Sequence, residues 1–131
     1  MGVLDKTALD ATRTERTLWL DGRPAVVAHL ASTWRARARG LLFRRALLPG
    51  EGMLLVDCRS VHTWLMRYTI DVVYLDADLR VVKVAPRVRR WRFSVGGRRA
   101  RHALELTAGD AERIGLVAGA RLTAKGTGER S

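Results

Sequence analysis

The stretch GMLLVDCRSVHTWLMRYTIDVVYLD, residues 52–76, decides how this chain folds. It holds two apolar runs, the chain's single cysteine at Cys58, one of three histidines at His62, and the charged residues Arg67 and Asp71. Read with the period of two that a strand imposes, His62, Trp64, Met66, Ile70, Val72 and Tyr74 share one face, and Thr63, Leu65, Arg67, Asp71, Val73 and Leu75 share the other. Both faces are largely apolar, so the segment is expected to be covered on both sides. An ionised Asp71 in such a place loses its hydration and needs a partner. Arg67 is the nearest candidate in sequence, and a solvated turn holding both residues is the alternative.

Outward from this stretch the signals are those of short strands. TLWL and AVVAHLA flank Asp21-Gly22, a favoured two-residue hairpin turn. His29 falls in the second of these strands and reads as a packed or edge histidine. Ser32 offers an N-cap, and Trp34, Ala38, Leu41 and Leu42 recur at helical spacing. Pro49-Gly50-Glu51-Gly52 then turns the chain into the central stretch. After Leu75, the turn Asp76-Ala77-Asp78-Leu79 leads into RVVKVA. Leucine disfavours a positive φ, so Asp78 is expected to take any left-handed position there, or the turn to differ. Gly96-Gly97 reads as a hairpin turn sending VRRWRFSV back through RRARHALEL as its partner strand. Asp110 to Ile114 reads as a short helix, acidic at its start and ended by Gly115. Many short strands and two short helices predict a mainly β fold, a compact single-domain β-sandwich or small barrel. Residues 17–124 form the domain, with flexible tails at 1–16 and 125–131.

The segment VHTWLMRYTIDVVYLD, preceded by GMLL and followed by LELTAGDAERIGLVAGARL, resembles the domain of unknown function 192 family. Gly-Met-hydrophobic, Thr-aromatic-x-Met-Arg, hydrophobic-Asp and Leu-Glu-hydrophobic occur in the family's order, and Arg39-Gly40-Leu41 matches a further Arg-Gly-Leu element. The likeness spans about Arg35 to Leu122. It implies a small β domain and a site at these positions, and it carries no established activity. Relatives often have glycine where this chain has Leu79.

With 131 residues and 47% hydrophobic composition the chain can bury a core of its own. A lone cysteine excludes an internal disulfide and fits a reducing compartment. No stretch approaches the roughly 18 apolar residues of a membrane span, and the charged N-terminus does not resemble a signal peptide, so a cytoplasmic protein without membrane contact is expected. The net charge is +11, and it is concentrated. Five arginines and no acid lie in Ser32–Arg45, and seven arginines and no acid lie in Pro86–His102. Such segments attract anions, although a general preference for arginine over lysine produces the same pattern.

Specific chemistries are mostly excluded. Cys58, His62 and Asp57 lack a CxxC or HxxxH companion, so no metal is expected. Cys58 and His62 would lie about 13 Å apart along a strand, too far for a nucleophile and its base. There is no GxGxxG, no phosphate-binding loop and no GxSxG elbow, and no cofactor is expected. What remains is a polar cluster of His62, Thr63, Arg67, Asp71 and Glu105, with Arg39 as an outer member. Arginine held by carboxylates can present a fixed fork to a small polar or anionic ligand. A purely structural network and a hydrolase-like activity using His62 or Glu105 with Asp71 are the alternatives. A separate reading is weak, sequence-independent nucleic-acid binding by Arg90, Arg92, Arg98 and Arg99. In that segment Trp91, Phe93 and Val95 alternate with Arg90, Arg92 and Ser94, and the alternation is expected to bury the aromatics and leave no stacking surface.

Overall fold

The computed structural model describes residues 15–31, 47–62, 68–89 and 92–125. The helical stripe from Ser32, together with Arg39, Thr63, Trp64, Arg67, Arg90 and Trp91, lies outside them. The first described elements are an antiparallel hairpin of β1 (Glu15–Leu20) and β2 (Arg23–Ala31). Asp21 and Gly22 both have positive φ, 52° and 77°, the geometry that a tight two-residue turn demands and that Asp-Gly supplies at low cost. Next come β3 (Glu51–Leu55), β4 (Ser60–His62), β5 (Ile70–Leu75), β6 (Val81–Val88), β7 (Phe93–Val95) and β8 (His102–Thr107). A single short helix, α1 (Asp110–Ile114), and β9 (Leu122–Lys125) complete the described elements.

Seven strands form one sheet in the order β6-β5-β8-β3-β2-β1-β9, and β4 pairs with β7 in a separate ribbon. The large sheet curls until its two ends touch at one corner. There Val81 donates its N–H to Ala120, Gly119 donates to Val81 and Leu122 donates to Leu79, while Arg80 and Arg121 form an isolated bridge. The result is a half-barrel whose inside is filled by Leu18, Val26, Leu54, Val73, Leu104, Leu106 and Leu122, among others. A second apolar layer, including Met53, Leu55, Val61, Ile70, Val72, Tyr74 and Ala103, lies on the outer side of the same wall beneath the β4–β7 ribbon. All six residues of β5 are consequently buried, which explains why both of its parities are apolar.

Two turns and one strand differ from the sequence expectation. Leu79 itself, not Asp78, takes the left-handed conformation, with φ 62°. Its side chain is fully buried in the inner core, and Asp76 Oδ1 accepts the N–H groups of both Asp78 and Arg80. Burying a leucine contributes about 1.5–3 kcal/mol, which offsets the roughly 1–2 kcal/mol of a left-handed L-residue. Gly96-Gly97 does not join partner strands: β7 pairs with β4, and β8 inserts between β3 and β5. Gly96 is instead a point of close approach, because a Cβ there would stand 2.4 Å from the Tyr74 ring. The β7 alternation is also inverted. Ser94 is buried, while Phe93 and Val95 are 55% and 45% exposed. Pairing with Val61 and a hydrogen bond from Tyr74 turn Ser94 inward, so the strand's neighbours override its hydrophobic pattern.

Candidate functional site

Asp71 and Glu105 are each 1% exposed, yet they do not share a cluster. In the β5–β8 register Asp71 stands opposite Leu106, and Val72 stands opposite Glu105. Directly opposed residues point to the same side, so adjacent rungs place Asp71 with the inner core and Glu105 with the outer layer.

Asp71 is bound by backbone. Its Oδ1 accepts the N–H of Arg87 at 2.9 Å, and its Oδ2 accepts those of Gly109 and Ala111 at 3.0 Å each. Gly109 is the N-cap of α1, has φ 92°, and has no side chain to cap the helix, so a carboxylate from β5 does so from across the core. Arg87 also has a positive φ of 48°, which bends β6 next to Pro86 and aims its N–H inward. Asp71 thereby ties together β5, the end strand β6 and the helix. Neighbouring Asp110, also buried, accepts from Gly50 N–H at 2.9 Å and from Arg113 Nε at 3.0 Å.

Away from the corner where the sheet ends meet, β6 and the α1–β9 connection enclose a cleft of about 440 Å³. Val84, Pro86, Ala111, Leu116 and Val117 give it apolar walls, and Arg87 and Glu112 supply charge beside the locked Asp71–Gly109 junction. The Arg87 guanidinium lies close to Gly109, 3.7 Å from where a Cβ would be. A smaller cleft of about 220 Å³ lies between Leu20, Arg23, Pro24 and the end of α1.

On the outer side Glu105 stands between Met53 of β3 and Val72 of β5. Nearby, the buried Tyr74 donates its hydroxyl to Ser94 Oγ at 2.9 Å. Burial raises the Tyr74 pKa above its usual value against the opposing effect of the Ser94 hydrogen bond, and Cys58 and Glu105 add to the rise, so the phenol stays protonated. Lys83 Nζ donates to the Val95 carbonyl at 2.6 Å and lies 6.0 Å from the Tyr74 ring centre, clasping β7 to the barrel wall. The backbone of His62 pairs with Phe93, and the Cys58 thiol donates to the Ser60 carbonyl at 3.0 Å.

Two histidines are accounted for structurally. His29 is half-buried, with Nε2 3.4 Å from Glu51 and Nδ1 3.8 Å from Glu15. His102, buried at the start of β8, accepts the Asp57 N–H on Nδ1 at 3.0 Å, which places its proton on Nε2. Burial lowers its pKa to about 4; Arg101 acts in the same direction, and Asp57 and Asp76 oppose it. Among the described residues no three His, Cys, Asp or Glu side chains converge as a metal site would require. Nor does any helix among them have the length and apolarity to cross a membrane. The sequence expectation did not include the cleft at Arg87; Pro86 within an apolar strand is its local signal.

The match to known proteins follows this architecture. The chain is similar to UPF0127 protein PH1112 of Pyrococcus horikoshii, 33% identical over 79 residues that make up 58% of this chain and 68% of that one. A protein of unknown function from Novosphingobium aromaticivorans has the same fold, with a TM-score of 0.70, 23% identity and 82% of each chain covered. So does a protein from Sinorhizobium meliloti named a "putative transcription regulator", with a TM-score of 0.71 and 24% identity over 84% of this chain and 92% of that one. The model of the family DUF192, Uncharacterized ACR, matches residues 16–124, and the chain belongs to this domain of unknown function 192 family.

Proposed function

We propose that the protein is a binding module for a small ligand with a polar or anionic head and an apolar body, seated in the cleft between β6 and the α1–β9 connection. The observation that carries this is the cleft itself. At about 440 Å³ it has the size of a small-molecule site, with apolar walls and few charged groups. Arg87 supplies the fork for the head group, and Val84, Leu116 and Val117 receive the body. Asp71 acts as a positioning residue: its carboxylate fixes the backbone of Arg87, Gly109 and Ala111, three of the cleft's lining residues.

Thermal shift with a panel of short-chain carboxylates and phosphate monoesters tests the reading. A compound present at about 100 times its dissociation constant raises stability by roughly 2.7 kcal/mol. Arg87→Gln should weaken that compound about tenfold or more, and Val117→Glu, at a 63% exposed position, should do likewise without unfolding the chain. No shift with any compound, or a shift unchanged in both variants, overturns the assignment.

A second reading is carried by Glu105, a buried carboxylate in the outer wall. A buried carboxylate often accompanies a functional site. In this reading Glu105 holds the ligand from the outer wall, in the role that the sequence gives it together with His62, Thr63, Arg67 and Arg39. Loss of a compound's effect in a folded Glu105→Gln variant, with Arg87→Gln unaffected, would move the site there.

A further inference from the structure

The β4–β7 ribbon has two unlike faces. Val61 and Ser94 are buried against the barrel, and the opposite face presents Phe93 and Val95 at 55% and 45% exposure. These two side chains are two residues apart on one face of a strand, about 7 Å. Exposed cations lie near them along the ribbon. Arg92 precedes Phe93, and Arg98 and Arg99 occupy the turn just after Val95 and Gly96. The Arg59 carbonyl accepts the Gly96 N–H, and Lys83 reaches the Val95 carbonyl from β6. Residues 57–60 and 92–101 together hold five arginines and one acid, Asp57, and that acid is paired with Arg101 at 2.7 Å.

We propose that this face binds single-stranded nucleic acid without reading its sequence, with Phe93 stacking on a base and Arg92, Arg98, Arg99 and Arg59 meeting phosphates. The two ingredients of such a surface, an exposed aromatic and a cationic track beside it, occur together here because the strand inverts its pattern. A duplex hides its base faces and would use only the charges. An anionic lipid surface likewise has no bases to stack on Phe93.

The test is fluorescence anisotropy of a labelled oligothymidylate titrated with the full chain over a series of salt concentrations. The logarithm of affinity should fall linearly with the logarithm of salt, with a slope near −0.7 for each phosphate contacted. Arg98→Ala should reduce the slope by about 0.7, and Arg23→Gln, on the distant β1–β2 hairpin, should leave it unchanged. Phe93→Ala should weaken binding roughly 5- to 150-fold, the equivalent of one lost stacking contact, and Phe93→Trp should restore it. Unchanged melting temperatures in the two Phe93 variants separate this loss from unfolding. The proposal is overturned if Phe93→Ala binds as the parent does, if Arg23→Gln changes the slope as much as Arg98→Ala, if a duplex of equal length binds as tightly with no dependence on Phe93, or if phosphatidylserine vesicles bind and the oligonucleotide does not.

Discussion

Asp71 and Glu105 occupy adjacent rungs of one antiparallel ladder, are equally buried, and belong to opposite sides of the wall. On the inner side the carboxylate meets three backbone N–H groups, and two of them lie at the start of α1, whose glycine N-cap offers no side-chain acceptor. On the outer side the carboxylate lies under a three-residue ribbon and beside a phenol held by a serine. Burial alone therefore does not say what a buried acid is for. What the inner carboxylate does follows from its partners, which are fixed parts of the backbone.

The largest expected effect is on the inner side. Asp71→Ala leaves one buried and two part-buried donors without their acceptor and should destabilise the chain by roughly 2–4 kcal/mol in urea unfolding. A cost below about 1 kcal/mol would remove the basis of the contrast.

Protonation probes the barrel wall without a mutation at the carboxylates. The His102 pKa is lowered in the folded state to about 4, so between the unfolded value near 6.5 and that value the unfolded chain binds more protons. The contribution of neutral His102 is complete above about pH 6.5 and is lost as pH falls through 4, a decrease of about 3 kcal/mol. His102→Asn, which keeps an acceptor for the Asp57 N–H, should flatten this part of the stability profile. An equally steep profile in that variant would assign the effect to other groups.

Leu79 separates packing from backbone strain on the inner side. Leu79→Ala should cost about 2–5 kcal/mol by emptying part of the core. Leu79→Gly empties it too but relaxes the positive φ, and should be less destabilising than alanine by about 1 kcal/mol. The reverse order would mean that the turn changes conformation in the variants.

The smallest expected change in stability is at Glu105. Glu105→Gln keeps shape and an acceptor, and chemical unfolding should place it within about 1.5 kcal/mol of the parent. A loss as large as that of Asp71→Ala would give both carboxylates the same structural role.

Local features of this fold were legible in the sequence, and features made by distant segments were not. Asp21-Gly22, the short helix ended by Gly115, and the double-sided burial of Ile70–Leu75 each depend on a few consecutive residues, and each stands where the pattern places it. The need of Asp71 for a partner could also be read, because desolvation follows from its apolar neighbours. The identity of the partners could not, since they are backbone groups 16, 38 and 40 residues away. Ser94 faces inward because Tyr74, 20 residues earlier, donates to it, and no alternation within β7 reveals that. The cleft lies where β6 and the α1–β9 connection part from the corner at which the sheet ends meet, a property of the whole curl.

The bend at Pro86 and Arg87 has a consequence for how copies of this chain meet one another. β6 is an end strand, and an end strand with a regular row of outward donors and acceptors invites another chain to extend the sheet. Pro86 has no N–H to offer, and the N–H of Arg87 is turned back to Asp71. The regular row a newcomer would need is thus interrupted at this bend. The same carboxylate that caps the helix makes this margin a poor template for edge-to-edge aggregation.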